Sequence, residues 1–194
     1  MPPKTRFTEE VILNAAFELT RADGIDAVTA RSLASRLSCS TAPIFSRFES
    51  MDALHEALMD RIIREFVAGV TAEEGDDAIV AAGVGWLQFA TSEPCLYEAV
   101  FLRRHPWHSK WGRIRREMAD RMAEDVRYKD WDRNALFALV GRVSIVMHGL
   151  GVELWSGRLP SANLPGLVEQ FVLPVIDAAH RNGWRDDLHS AAPD

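Results

Sequence analysis

The chain reads as all-α, with an N-terminal three-helix helix-turn-helix unit followed by a larger helical domain, about nine helices in all. Three observations predict this. Apolar residues recur at three- and four-residue spacing nearly throughout. No strand-length run alternates apolar with polar between hairpin turns. The breaks fall at Gly24, Pro94, Pro106, Gly157 to Pro160 and Gly183.

The first helix is expected after Thr8, an N-cap residue, with Glu9 and Glu10 in the first turn where the helix dipole favours acids. Val11, Ile12, Ala15, Ala16 and Leu19 make its inward stripe, and Gly24 ends it. Thr29 is placed to cap a second helix, Ala30 to Leu37, with Leu33, Ala34 and Leu37 inward. Ser38-Cys39-Ser40 forms a three-residue turn. Ser40 is placed as the cap of a third helix, Thr41 to Arg47, anchored by Ile44 and Phe48. Ser50 caps a fourth, Met51 to about Val70, with Leu54, Leu58, Ile62 and Phe66 on one face.

The acidic stretch Glu73-Glu74-Gly75-Asp76-Asp77 is the expected boundary between a domain over residues 5–65 and another over 76–183. Beyond it the pattern predicts helices at Asp77–Ser92, Cys95–Arg103, His108–Tyr128, Trp131–Ser156 and Leu164–Asn182, the last kinked at Pro174. The apolar region Ala135 to Trp155 is interrupted by Arg142, His148 and Glu153, so it reads as a buried helix and not a membrane span.

The net charge of −6 argues at first against nucleic acid, but its distribution matters more. Residues 1–50 hold six cations and six acids, so the remainder of the chain carries the whole −6. Val28 to Phe48 contains three arginines and no acid, a local surface suited to phosphates. Two cysteines, Cys39 and Cys95, are too few for a disulfide framework. Cys39 fits a small packed thiol better than a redox sensor. The first residues lack a secretory apolar stretch, so the expected location is the cytoplasm, in association with the nucleoid.

A pair of short helices joined by a three-residue turn and braced by an amphipathic helix is a helix-turn-helix pattern over about residues 29–48. Such a second helix enters the major groove of duplex DNA. With Ile44 and Phe48 turned inward, Thr41, Ala42, Pro43, Phe45, Ser46 and Arg47 remain available. Pro43 sits in the first turn, where its missing N–H costs little.

The run from Phe7 to Leu58 resembles the DNA-binding domain of the TetR family of bacterial repressors. The likeness is carried by Ile12-Leu13-x-Ala15-Ala16, Gly24, Val28-Thr29-x-Arg31-x-Leu33-Ala34, Leu37-x-x-Ser40-x-x-x-Ile44-Phe45-x-x-Phe48 and Leu54. It implies a homodimer that binds a palindromic double-stranded operator and releases it when a small ligand enters the C-terminal domain. It implies phosphate contacts from Thr29, Ser40 and Thr41, a backbone or groove-edge contact from Arg31, and a reading face of Pro43, Phe45, Ser46 and Arg47. Three departures stand out: phenylalanine at 45 where the family has tyrosine, Met51 where it has lysine, and Ser38-Cys39 where it has Gly-Val. The first two remove a donor and a cation aimed at phosphates.

The C-terminal part is rich in aromatic and soft side chains. Trp86, Phe89, Tyr97, Phe101, Trp111, Met118, Met122, Met147 and His148 are the candidate lining of a pocket for a small apolar or aromatic ligand; ordinary core packing is the competing reading for each. Glu93 to Tyr97 with His148-Gly149 resembles one common ligand-domain subtype of these regulators. His148 and Glu153 fit either a ligand hydrogen bond or a subunit interface. Gly141, Ser144 and Gly151, with Leu167, Phe171 and Val175, are the candidate dimer surface, two helices per subunit forming a four-helix bundle. The alternative is packing within one chain.

No cofactor or metal is expected. His105 and His108 lack a third ligand at helical spacing. Gly83-Val-Gly85 and Gly149-Leu-Gly151 lack the third glycine and the preceding strand of a dinucleotide fingerprint. With no nucleophile–base set either, an enzyme is not expected. A DNA-free adaptor on the same fold remains the other alternative.

Overall fold

Local capping decides where most of the helices begin and end. The computed structural model describes residues 7–72, 78–104 and 109–182, all of them helix or short connection. The expected boundary at 73–77, together with Pro106, Gly183 and the His105/His108 pair, lies outside the described residues. Two compact units result: residues 7–72 with 88–104, and residues 78–87 with 109–182.

In the first unit α1 spans Glu9–Asp23, capped by the Thr8 hydroxyl, which accepts from the Val11 N–H at 3.2 Å. Gly24 ends it at φ +83° and ψ 166°, a conformation reserved for glycine, and a 3-10 turn follows at Ile25–Ala27. α2 (Ala30–Arg36) begins in a capping box, the Thr29 and Ser32 hydroxyls each accepting from the other's backbone N–H. α3 is shorter than the spacing predicts, Ala42–Phe45, with Thr41 at the N-cap position in place of Ser40 and no side-chain cap. α4 (Met51–Ala72) starts where the Ser50 hydroxyl accepts from the Ala53 N–H.

The four-residue stripe of α4 behaves as its spacing requires: Leu54, Leu58, Ile62 and Phe66 are each 0% exposed. α1 packs along α4, and Phe17 beneath them lies under two guanidinium groups, Arg21 and Arg61, each 4.8 Å from its ring centre. Arg61 also donates to the Asn14 side-chain carbonyl.

α5 spans Ala78–Ser92, and its last residues belong with the first unit. The helix expected at Cys95–Arg103 is instead α6 (Pro94–Tyr97) running into a π-helical turn, Glu98–Leu102. Glu93, at the N-cap position, makes no cap because its carboxylate accepts from Arg21 Nε at 2.9 Å. Phe101 lies edge-on to Phe66 at 5.1 Å and beside Tyr97 at 4.7 Å; Phe89 is edge-on to Phe66 at 5.3 Å.

In the second unit α7 (Ser109–Met122) stops six residues short of the expected Tyr128. The Asp125 carboxylate accepts from the Arg127 backbone N–H and pairs with its guanidinium, folding the chain into turns. That same guanidinium holds the Asp125 carboxyl below its ordinary pKa. α8 (Arg133–Trp155) begins two residues later than Trp131 because Asp132 caps it, accepting from the Asn134 and Ala135 N–H groups. By length and composition α8 is apolar enough to cross a membrane, yet α7, α9 (Leu164–Phe171) and α10 (Leu173–Asn182) all pack on it.

The last predicted helix is these two, broken at Val172 because Pro174 has no N–H to donate to the carbonyl four residues earlier. Gly83 is explained here: a Cβ on it would come within 2.7 Å of Val168, so its bareness lets α5 meet α9. The ring of Tyr128 is buried against Trp131 and His180, holding the end of α10.

Because Phe66 is surrounded by two rings with no room to collapse, Phe66→Ala should cost roughly 3–5 kcal/mol. Urea denaturation followed by circular dichroism measures this, and a loss under 1 kcal/mol would contradict the packing described.

Candidate nucleic-acid interface

α2, the turn and α3 are held by three contacts that hydropathy spacing does not reveal. The first is the helix ending itself. Ser38 takes φ +51°, its N–H donates to the Ser35 carbonyl, and the Cys39 N–H donates to the Ala34 carbonyl at 2.9 Å. This is the left-handed Schellman ending, normally built on glycine. The same pattern closes α8, where Gly157 (φ +72°) fills the corresponding position and Arg158 N–H donates to the Glu153 carbonyl. The turn expected at Ser38-Cys39-Ser40 therefore exists, with the strain placed on a serine.

The second contact is His55 on α4, whose Nε2 lies 3.0 Å from the Val28 carbonyl. A carbonyl only accepts, so Nε2 carries the proton. The third is the Ser32 hydroxyl, which donates to the Ala27 carbonyl at 2.6 Å. Together they fix the start of α2 against the preceding turn and α4. None was legible beforehand, since a hydrogen bond to a carbonyl leaves no sequence period.

The anchors and the outward ridge fall as expected. Ile44 and Phe48 are buried; Thr41, Ala42, Phe45, Ser46 and Arg47 are exposed, and Pro43 is half-buried. Thr29, Arg31 and Ser40 are exposed, as is Arg36. Several polar groups are already engaged within the chain. The Thr29 hydroxyl serves the cap of α2, the Ser46 hydroxyl donates to the Pro43 carbonyl at 2.7 Å, and Arg47 Nε donates to the Phe7 carbonyl at 3.3 Å. Arg47 thus spends one donor tying α3 to the residue ahead of α1.

The candidate pocket residues are divided between the two units. Phe89, Tyr97 and Phe101 belong to the first unit and fill its ring cluster with Phe66. Trp86, Trp111, Met118, Met122, Met147 and His148 belong to the second, with Trp86 and Met147 buried and the others half-buried. Partial burial pushes the His148 pKa down, favouring the neutral imidazole. The Glu153 carboxylate pairs with Arg158 at 2.7 Å at the end of α8. The guanidinium keeps that carboxyl ionised to lower pH than usual.

On the candidate dimer surface Gly141 and Gly151 are buried within the chain, and the half-buried Ser144 hydroxyl donates to the Val140 carbonyl. The outward line of α8 runs instead through Ile145, His148, Gly149, Val152 and Trp155, with Ile145 63% exposed. Phe171 is 44% exposed and Leu167 and Val175 are half-buried, whereas Val168, Val172 and Ile176 are buried.

A helix-turn-helix with its anchors buried and an acid-free ridge outside, followed by further helices, defines the chain by class as a helix-turn-helix transcriptional regulator. The family of bacterial regulatory proteins called the tetR family matches residues 12–58. The uncharacterized HTH-type transcriptional regulator YobS of Bacillus subtilis (strain 168) is 23% identical over 109 residues, 54% of this chain. That match spans only 57% of the relative's own length.

Two solved structures share the fold across nearly their whole length. A TetR-like transcriptional regulator from Rhodococcus sp. RHA1 aligns with TM-score 0.62 and 14% identity, over 91% of this chain and 98% of that one. A TetR variant from Acinetobacter baumannii AYE in complex with minocycline aligns with TM-score 0.60 and 16% identity, over 90% and 97%. Over residues 12–58 the chain is thus similar to the tetR family of bacterial regulatory proteins, and its fold is that of TetR-like regulators.

Relieving the left-handed strain at Ser38 recovers roughly 1–2 kcal/mol. Glycine's extra unfolded-state freedom returns about 0.5–1 kcal/mol of that. Ser38→Gly should therefore raise stability by up to about 1 kcal/mol, read as an increase in melting temperature; a lower melting temperature would refute the strained assignment.

Proposed function

We propose that the protein is a ligand-responsive repressor that binds, as a homodimer, a palindromic DNA operator. The observation that carries this reading is the outward ridge of α3. Ile44 and Phe48 are spent as anchors, while the exposed remainder is free of acids and flanked by exposed Arg31, Arg36 and Arg47. A ridge of that size fits the major groove, and flanking cations meet the phosphates. The protein acts in the cytoplasm, at the nucleoid.

Dimerisation is supported by the apolar outward lines of α8 and of α9 with α10. Ile145 (63% exposed) and Trp155 on α8, with Phe171 on α9, are large apolar groups left exposed, and a contiguous apolar surface marks a site of association. Two such lines per subunit suit a four-helix bundle about a two-fold axis, which presents two recognition helices about 34–36 Å apart.

The ligand is a small apolar or aromatic molecule, a reading supported by the aromatic and methionine content of residues 86–147 and by the relative of like fold that holds minocycline. Its binding shifts α4 and so the spacing of the recognition helices. Within the first unit two connections would carry such a shift. The rings of Phe89 and Phe101 pack on Phe66 of α4, and ion pairs join Glu93 to Arg21 and Asp26 to Arg103. Exposed ion pairs contribute roughly 0–1 kcal/mol each, less than the packed rings. The rings therefore transmit the motion, and the ion pairs set its register.

Selection of bound sequences from random duplexes tests specificity and symmetry together, and a palindromic consensus is expected. No retardation of any duplex at micromolar protein in low salt would instead favour a DNA-free adaptor. Arg31→Ala should weaken binding about equally on all sequences and lower the salt slope by about 1, measured by titration across salt concentrations. Ile145→Glu should leave the fold intact and convert the dimer to monomer in sedimentation velocity; a variant that stays dimeric would remove α8 from the interface.

A further inference from the structure

The recognition ridge has an unusual make-up for a surface that reads bases. α3 itself, Ala42-Pro43-Ile44-Phe45, carries no hydrogen-bonding side chain. At its C-terminal end the Ser46 hydroxyl is turned back to the Pro43 carbonyl and Arg47 is tied to the Phe7 carbonyl. The largest apolar group left exposed there is the phenyl ring of Phe45, 47% exposed, beside the buried Ile44 and Phe48.

A phenyl ring gains nothing from a phosphate oxygen and cannot satisfy the donor and acceptor edges of guanine, cytosine or adenine. The one apolar feature in the major groove is the C5-methyl group of thymine. The flanking arginines hold the ridge to the backbone without specifying bases. Resting on the DNA-binding reading above, we propose that Phe45 is the specificity-determining residue of this protein and that it selects thymine by contact with the C5-methyl group. The half-site is then chosen at that position by shape and desolvation and not by a hydrogen-bonded pair. Phenylalanine in place of the family's tyrosine is, on this account, a change in what is read as well as a lost phosphate donor.

The test replaces thymine by deoxyuridine, which deletes the methyl group and leaves every hydrogen-bonding edge intact. Starting from the selected operator, each thymine is exchanged in turn in both half-sites and affinity is measured by mobility shift, for the wild type and for Phe45→Ala. The wild type should lose roughly fourfold per methyl at one or two positions of each half-site. Phe45→Ala should bind more weakly overall and show no further loss at those positions. Since Phe45 is exposed, the variant should keep the wild-type melting temperature; if it does not, the deoxyuridine series on the wild type alone decides. Equal binding of thymine and deoxyuridine duplexes by the wild type overturns the proposal while leaving the DNA reading in place. A penalty of the same size in Phe45→Ala overturns it also. Failure to retain any duplex overturns the DNA reading and this inference together.

Discussion

The apolar line along α4 carries the N-terminal unit. Leu54, Leu58, Ile62 and Phe66 are wholly removed from water, each burial being worth roughly 1.5–3 kcal/mol. α1 packs along α4, and the rings of Phe89 and Phe101 meet Phe66 past its middle. Nearer its start His55 reaches the Val28 carbonyl and sets where α2 begins. A rigid-body shift of α4 acts on the start of α2 through this hydrogen bond and on α1 through packing. This is the physical content of calling α4 a connecting helix.

Stability and shape do not favour the same residue everywhere in that unit. The Schellman ending appears twice, once on Gly157 and once on Ser38. At Gly157 the left-handed backbone is cheap; at Ser38 it is strained, and the surrounding contacts hold it nonetheless. Gly24, in a region of backbone space closed to other residues, turns the chain from α1 into the 3-10 turn at no such cost. The turn between α2 and α3 is therefore the place where local energy was given up to geometry. The capping box at Thr29 and Ser32 offsets part of it one helix earlier.

What the sequence made legible was whatever repeats at helical spacing or has a capping signature. The stripe of α4, that of α1 from Ile12 onward (Val11, expected inward, is exposed in the first turn), the anchors Ile44 and Phe48, the caps at Thr8, Thr29 and Ser50, and the break at Pro174 all belong to this kind. What it hid depends on partners distant along the chain. Residues 88–104 pack with the first 72 because Phe101 and Phe89 find Phe66, and no spacing rule announces that. α6 passes into a π-helical turn while Glu93 is drawn to Arg21, and α7 ends early because Asp125 finds Arg127 two residues on. Gly141 and Gly151 read as bare surface from composition alone. The phase of α8 turns both inward and brings Ile145 and Gly149 out, so the turn of the helix decides between core and surface.

The charge pattern then acquires a mechanical sense. A chain of net charge −6 that approaches DNA must do so through a small surface, and residues 28–48 are where acids are missing. Within that surface the three arginines stand on the flanks and the apolar tip stands between them. Attraction to phosphate is long-ranged and indifferent to sequence; contact with a methyl group is short-ranged and selective. Separating the two on different side chains lets affinity and choice be set independently. Met51 in place of a lysine lowers the first without touching the second, whereas Phe45 in place of a tyrosine bears on both. On such a surface salt screens the contribution of the arginines and leaves that of the apolar tip.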